Sequence, residues 1–172
     1  MYYSQIFQCD IANGIGCRTT LFVSGCDRHC RGCFNSETWD YKYGKPYTKE
    51  VEDWIIQSLH HPHIDGLTIL GGEPLNEKNR GTVLKLVRRV REESPDSTIW
   101  IYTGYTWEEL MYPRMSEDLY QIMVLTDVLV DGPFILSEKD VTLSFRGSRN
   151  QRIIDVTETL YQDRIVCLKL DR

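Results

Sequence analysis

No run of apolar residues in this chain approaches the roughly 20 that a membrane-spanning helix requires, so an integral membrane protein is not expected. No basic residue precedes Arg18, so the charged start of a secretory leader is missing. Positive charge is also scarce. The 20 Lys and Arg stand against 25 Asp and Glu, a net charge of −5, and a general electrostatic grip on nucleic acid is not expected. Two nucleotide signatures are absent as well: Gly14-Ile15-Gly16 lacks the third glycine of a dinucleotide fingerprint and precedes a strand, and there is no phosphate-binding loop. Repeats, low-complexity tracts and long polar linkers are missing too, so residues 1–172 are expected to form a single domain.

What is present is a globular composition, 41% hydrophobic and 26% charged. Six cysteines would allow three disulfides in a secreted protein. Without an export signal, three cysteines crowded into Cys26-Asp27-Arg28-His29-Cys30-Arg31-Gly32-Cys33 read better as metal ligands in a reducing compartment, which makes the cytoplasm the expected location. Cys9, Cys17 and Cys167 are expected to be buried or incidental thiols.

The apolar pattern alternates between two periods. Thr19 to Ser24 is β-branched or apolar and ends at Gly25, as a strand delivering the cysteine loop would. Thr48 is a candidate N-cap for a helix carrying Val51, Trp54, Ile55 and Leu59, which ends at His60-His61-Pro62. Leu67 to Leu70 predicts a strand that stops at Gly71-Gly72-Glu73-Pro74, and about Lys78 to Glu93 predicts a helix with Val83, Val87 and Val90 on one face. Thr98 to Thr103 and Asp127 to Val130 are further strands, separated by a capping box at Thr106 to Glu109 and a helix bearing Leu119, Ile122 and Met123. Val141 to Phe145, Gln151 to Val156 and Ile165 to Leu170 also have strand-like composition.

This order implies an α/β protein with a mainly parallel sheet and its functional loops at the C-terminal strand ends. The cysteine loop, the Gly71 turn, Thr103-Gly104-Tyr105 and Asp131-Gly132-Pro133-Phe134 all fall at such ends, so one shared site on one rim is expected. Three thiols leave two readings of the loop. A structural zinc site wants a fourth ligand, which His29 would supply, making the chain a non-enzymatic binding module. A 4Fe-4S cube held by three thiolates keeps one iron open for something other than protein.

CxxxCxxC after an early strand and Gly-Gly-Glu-Pro after the next resemble the radical S-adenosylmethionine superfamily, whose fold implies a compact, incomplete (β/α) barrel. Asn13 to Arg18 and Leu21 to Cys26 are similar to the glycyl-radical-enzyme activases of that superfamily. Cys33-Phe34-Asn35, Ser36 to Trp39, Tyr102 to Tyr105, Val130 to Phe134 and Arg146 to Gln151 resemble the branch that serves anaerobic ribonucleoside-triphosphate reductase. The likeness covers about residues 1–154; the extension 155–172 lies beyond it and is given no role.

The resemblance implies that Cys26, Cys30 and Cys33 hold a 4Fe-4S cluster whose open iron is chelated by S-adenosylmethionine. Gly71, Gly72, Glu73 and Pro74 would face its methionine part, with side chains absent at the first two positions to let the backbone approach and Glu73 ordering the turn rather than moving protons. Gly32 and Phe34 would lie against its adenine. The implied partners are the catalytic subunit of the anaerobic reductase and a low-potential electron donor such as flavodoxin. The implied reaction is reductive cleavage of S-adenosylmethionine and hydrogen abstraction from a glycine of that subunit. Other small members of the superfamily, of the pyruvate formate-lyase activase or carboxy-deazaguanine synthase type, are the alternative.

Thr103 and Asp131 are candidate oxygen ligands, by the same resemblance, for the cofactor or a monovalent cation, although Asp131 could equally be an Asx turn or cap at its strand end. Arg146 and Asn150 either dock the partner or belong to an ordinary solvated turn. His60, His61 and His63 read as a helix C-terminal cap rather than as metal ligands.

Overall fold

The computed structural model describes residues 1–111 and 116–170. An antiparallel hairpin opens the chain, β1 (Tyr2–Asp10) with β2 (Arg18–Ser24), and the short β3 (Lys45–Pro46) adds to β1. Helix α1 (Lys49–Leu59) then leads to β4 (Gly66–Gly71), α2 (Glu77–Glu93) to β5 (Thr98–Tyr102), and α3 (Trp107–Met111) with α4 (Glu117–Leu125) to β6 (Val128–Asp131). The chain returns as β7 (Arg152–Asp155) and α5 (Val156–Gln162). The sheet order is β3-β1-β2-β4-β5-β6-β7.

Only β2, β4, β5 and β6 run parallel; β1 and β7 pair antiparallel at the two flanks, so the sheet is mixed with a parallel centre rather than mainly parallel throughout. The flank that sequence reading missed is β1. Its outer positions are half-buried or exposed, and it lacks the apolar run that marks the central strands. Val141 to Phe145, expected as a strand, forms turns, because Asp140 draws the Thr142 amide (3.0 Å) and hydroxyl (2.6 Å) into a local Asx turn.

Strand alternation divides the central side chains between two faces. Leu21, Val23, Leu67, Ile69, Ile99, Ile101 and Leu129 meet the helices in one large core. Trp100, Val128, Val130 and Ile153 point the other way, where Tyr102, Phe145, Leu168 and Leu170 pack on them. The expected caps form. Thr48 accepts from the Val51 amide at 3.5 Å, and Thr106 and Glu109 exchange the two bonds of a capping box at 3.2 and 2.7 Å. His60 is the C-cap of α1, with His61 and His63 exposed beyond it.

Arg18 closes the N-terminal end of the strands on the second face. Although 1% exposed, its guanidinium donates to Thr68 Oγ1 (2.7 Å), Leu67 O (2.9 Å), Thr98 O (2.8 Å) and Thr98 Oγ1 (2.9 Å), and lies over the Trp100 ring. Burial pulls its pKa down to about 10, and the fork of acceptors keeps it charged below that. The C-terminal extension is ordered by β7: Asp155 N donates to Val166 O at 2.9 Å and Leu168 N to Ile153 O at 2.7 Å. It covers an edge that would otherwise offer free strand groups to another chain; its last two residues lie outside the described ones.

Two expected thiols are not free. Cys9 and Cys17 form a disulfide across the end of the β1–β2 hairpin, Cα atoms 5.3 Å apart. The antiparallel pairing of Asp10 with Arg18 brings them together, and β1 was the strand that sequence reading lacked. Cys167 is exposed and free.

Candidate active site

The four strand ends meet at a cavity of about 440 Å³, a size ordinary for small-molecule sites. Cys26, Cys30 and Cys33 line it as free thiols, together with Gly71-Gly72-Glu73 and Thr103-Gly104. The cysteine loop wraps through two left-handed residues, His29 (φ 45°) and Gly32 (φ 77°). Its ends are tied down by Gly25 N to Thr38 O (2.7 Å) and Cys26 N to Trp39 O (3.2 Å), and Asn35 N donates to the Cys33 sulfur at 3.4 Å. Burial pushes the Cys26 thiol up to about 11, so a cation beside it is what would hold it as thiolate.

Glu73 is fully buried, and its carboxylate accepts from Leu75 N (3.0 Å), Thr103 Oγ1 (2.8 Å) and Gly104 N (2.7 Å). It thus ties the β4 turn to the end of β5, which is the ordering role expected of it. Burial raises its pKa to about 7 against the opposing pull of those three bonds. The glycines before it are required by the strands themselves. A Cβ on Gly71, at φ 106°, would stand 2.7 Å from Val23 O, and one on Gly72 2.6 Å from Gly25 O. The close approach is therefore to the end of β2 itself, and Gly72 N and Glu73 N bond to Val23 O and Gly25 O at 2.7 and 2.8 Å.

Thr103 and Asp131 part company. Thr103 lines the cavity, its hydroxyl donating to Glu73 and accepting from Tyr105 N at 3.1 Å. Asp131 is outside the cavity wall. Buried at the end of β6, it accepts from Trp107 N at 2.7 Å, capping α3, and from Arg152 Nε at 3.0 Å and Nη2. Phe34 lines the cavity mouth, 60% exposed, with its ring 5.2 Å from that of Phe134. Gly32 and Pro74 are not in the wall; Gly32 abuts Leu136 and Pro74 is buried in the turn. Among the described residues no three His, Cys, Asp or Glu side chains converge as ligands of a single ion would.

Several contributors carried no motif. Asn79 on α2 is 1% exposed and donates to Ser24 O, Gly25 O and Glu73 O at 3.0, 3.3 and 3.0 Å, pinning the cysteine strand to the turn. A polar residue four positions before Val83 on an apolar helix face was the signal for it. Asp27 accepts from the Tyr105 hydroxyl at 2.9 Å, and Arg28 pairs with Glu109 at 3.2 Å while lying over the Tyr105 ring. Asn150 is committed within its own loop, to Pro133 O at 2.8 Å and Ser148 Oγ at 2.7 Å.

A strand-end cavity faced by three free cysteines defines a class, α/β proteins with one cysteine-bound inorganic centre, and the sequence model of the 4Fe-4S single cluster domain matches residues 12–154. The anaerobic ribonucleoside-triphosphate reductase-activating protein of Escherichia coli (strain K12) is 46% identical over 88% of this chain and 96% of its own length. The protein of that name from Vibrio cholerae serotype O1 is 45% identical over 89% and 97%, and that of enterobacteria phage T4 35% identical over 94% and 99%. The chain belongs to the family of anaerobic ribonucleoside-triphosphate reductase-activating proteins.

Proposed function

We propose that this chain is a radical S-adenosylmethionine activase that installs a glycyl radical in the catalytic subunit of an anaerobic ribonucleoside-triphosphate reductase. The observation that carries the reading is the cavity itself: three soft thiol donors and a glycine turn line it together, in a chain of this family. The fit is chemical as well as spatial, since thiols suit iron-sulfur centres and three of them leave one iron without a protein ligand. When bound, the 4Fe-4S cluster and S-adenosylmethionine supply the one-electron sulfonium cleavage that gives methionine and a 5'-deoxyadenosyl radical able to take hydrogen from glycine.

The chain's own residues do the holding. Cys26, Cys30 and Cys33 would hold the cluster, and the loop bonds to Thr38 and Trp39 fix where they stand. The Gly71-Gly72-Glu73-Pro74 turn presents backbone groups to the methionine part, held rigid by the buried Glu73 carboxylate, with Thr103 beside it. Phe34 would take the adenine, while Phe22, Leu70 and Phe134 would keep water from the reacting carbon. Asp131 acts from behind the wall, through α3 and Arg152.

Helices on one sheet face and the cavity on the other support an incomplete (β/α) barrel, with residues 1–172 as one domain. A low-potential donor such as flavodoxin would reduce the cluster, in the cytoplasm. The test is anaerobic reconstitution with iron and sulfide, then electron paramagnetic resonance with and without S-adenosylmethionine. The expected result is a reduced-cluster signal that changes on adding S-adenosylmethionine, followed by a glycyl radical in the partner. A colourless protein with one zinc would overturn the proposal.

A further inference from the structure

The C-terminal extension, residues 155–172, lies beyond the part of the chain that the cluster-domain sequence model matches, yet it follows a defined course. Helix α5 ends at Asp163, whose left-handed backbone (φ 48°) turns the chain back along β7. Val166 N donates to Thr159 Oγ1 at 3.0 Å, and the two backbone bonds to Asp155 and Ile153 hold residues 166–168 on the outer edge of the strand. The side chains then alternate: Val166, Leu168 and Leu170 are half-buried, while Cys167 and Lys169 are exposed.

Leu168 and Leu170 pack on the second face of the sheet, against Trp100, Val128, Val130 and Ile153, the same cluster on which Phe145 rests. Without them part of this apolar face would meet water. Phe145 and its neighbours Leu143, Arg146 and Gly147 line the cavity. The loop's ends are tied by hydrogen bonds, Asp140 N to Gly147 O at 3.2 Å and Gly147 N to Gln151 Oε1 at 2.9 Å. At Phe145 the hold is packing: its backbone is left-handed (φ 55°), a shape that a bulky residue keeps only where its surroundings impose it, and its ring meets Trp100 edge-on at 5.6 Å. Gly147 reaches the cavity mouth, where a Cβ would stand 3.2 Å from the Phe34 ring and 3.1 Å from that of Phe134.

We propose that the C-terminal extension is a brace: Leu168 and Leu170, acting through Trp100, position the Phe145 loop and with it the wall of the cavity that receives the partner's glycine. Both are positioning residues, since neither lines the cavity. The inference rests on the activase reading for what enters the cavity, and on the packing alone for the brace.

Two proteins test it, a chain ending at Asp163 and the full chain carrying Leu168→Ala with Leu170→Ala, which keeps the backbone bonds to β7. In the metal-free proteins, hydrogen exchange is followed at the Asp140, Gly147 and Ser148 amides, all bonded within the loop. Both are expected to exchange there roughly 5- to 30-fold faster than the parent, with the amides of α1 and β4 unchanged. In reconstituted holoprotein with the partner's catalytic subunit, the glycyl radical formed per S-adenosylmethionine cleaved is expected to fall roughly 3- to 10-fold, because a displaced wall misplaces the glycine. A general loss of folded protein would lower radical and cleavage together and leave that ratio unmoved. Unchanged exchange in the loop, faster exchange throughout the chain, or a loosened loop with an unchanged ratio would each overturn the brace. So would self-association of the truncated chain beside a double variant that behaves as the parent, which would leave the extension only an edge cover. If the parent itself forms no glycyl radical, the activase reading fails, and the exchange measurement still decides the brace.

Discussion

Replacing Asp131 with alanine separates holding the rim from binding a ligand. The carboxylate accepts three hydrogen bonds, from Trp107 N and from two nitrogens of Arg152, and is itself 1% exposed. Bonds to a charged group contribute about 1.5–3 kcal/mol each, and stranding one partner of a buried pair costs about 3–5 kcal/mol. Arg152 is not stranded, because its side chain is 31% exposed and also bonds Glu108 at 3.0 and 2.8 Å. That places Asp131→Ala near the low end, about 3 kcal/mol, or a melting temperature lower by roughly 6–12 °C for a chain of this size. The assay is thermal and urea unfolding of the metal-free protein, with Glu108→Gln and the double variant completing a cycle around Arg152. An unchanged melting temperature with lost affinity for S-adenosylmethionine or for a monovalent cation would refute the reasoning and return Asp131 to the site.

The stability of the metal-free protein should fall as pH rises through about 7. Glu73 titrates near 7 when folded and near 4.5 when unfolded, so its contribution is fully present below pH 4.5; the loss of roughly 3 kcal/mol towards pH 8 should vanish in Glu73→Gln, as urea midpoints across that range would show. The Cys9–Cys17 disulfide spans eight residues, for which chain entropy gives about 2.5 kcal/mol. A reductant should therefore lower the melting temperature of the metal-free protein by roughly 5–10 °C, and should have no effect once both cysteines are serine. Leu168→Lys should loosen the C-terminal extension from Trp100 and Ile153, seen as faster proteolysis after residue 164 with α5 retained.

Much of this was readable from the chain. The central strands, the two long helices, the capping box and the gathering of four strand ends followed from apolar period and turn residues, because those elements are buried on both faces or on one clean stripe. β1 escaped because an exposed flank carries no such pattern, and with it went the disulfide. Asp131 was assigned to the rim by family resemblance and its place at a strand end, with a cap as the other reading. Its parity said otherwise: Val128 and Val130 share the cavity-side face, so an odd-numbered neighbour on the same strand points towards the helices. Tyr102 has the opposite parity from Thr103, and the same count puts it on the cavity side.

That alternation organises the whole site. Asn79 and Asp131 sit behind the strand ends and, with Glu73 in the cavity wall, hold them by bonds to backbone and helix termini. Tyr102, Phe22 and Leu70 lie on the other parity and face the cavity. Both sets are needed, but they fail differently. Loss of a helix-side carboxylate removes partners already satisfied in the folded chain, so the cost appears as unfolding whether or not a ligand is added. Loss of the Tyr102 hydroxyl removes a group with no partner among the described residues, so it should cost the folded chain nothing. Melting temperature and dissociation constant should therefore vary independently across the two sets, and a cavity-side variant that unfolds the protein would break the division.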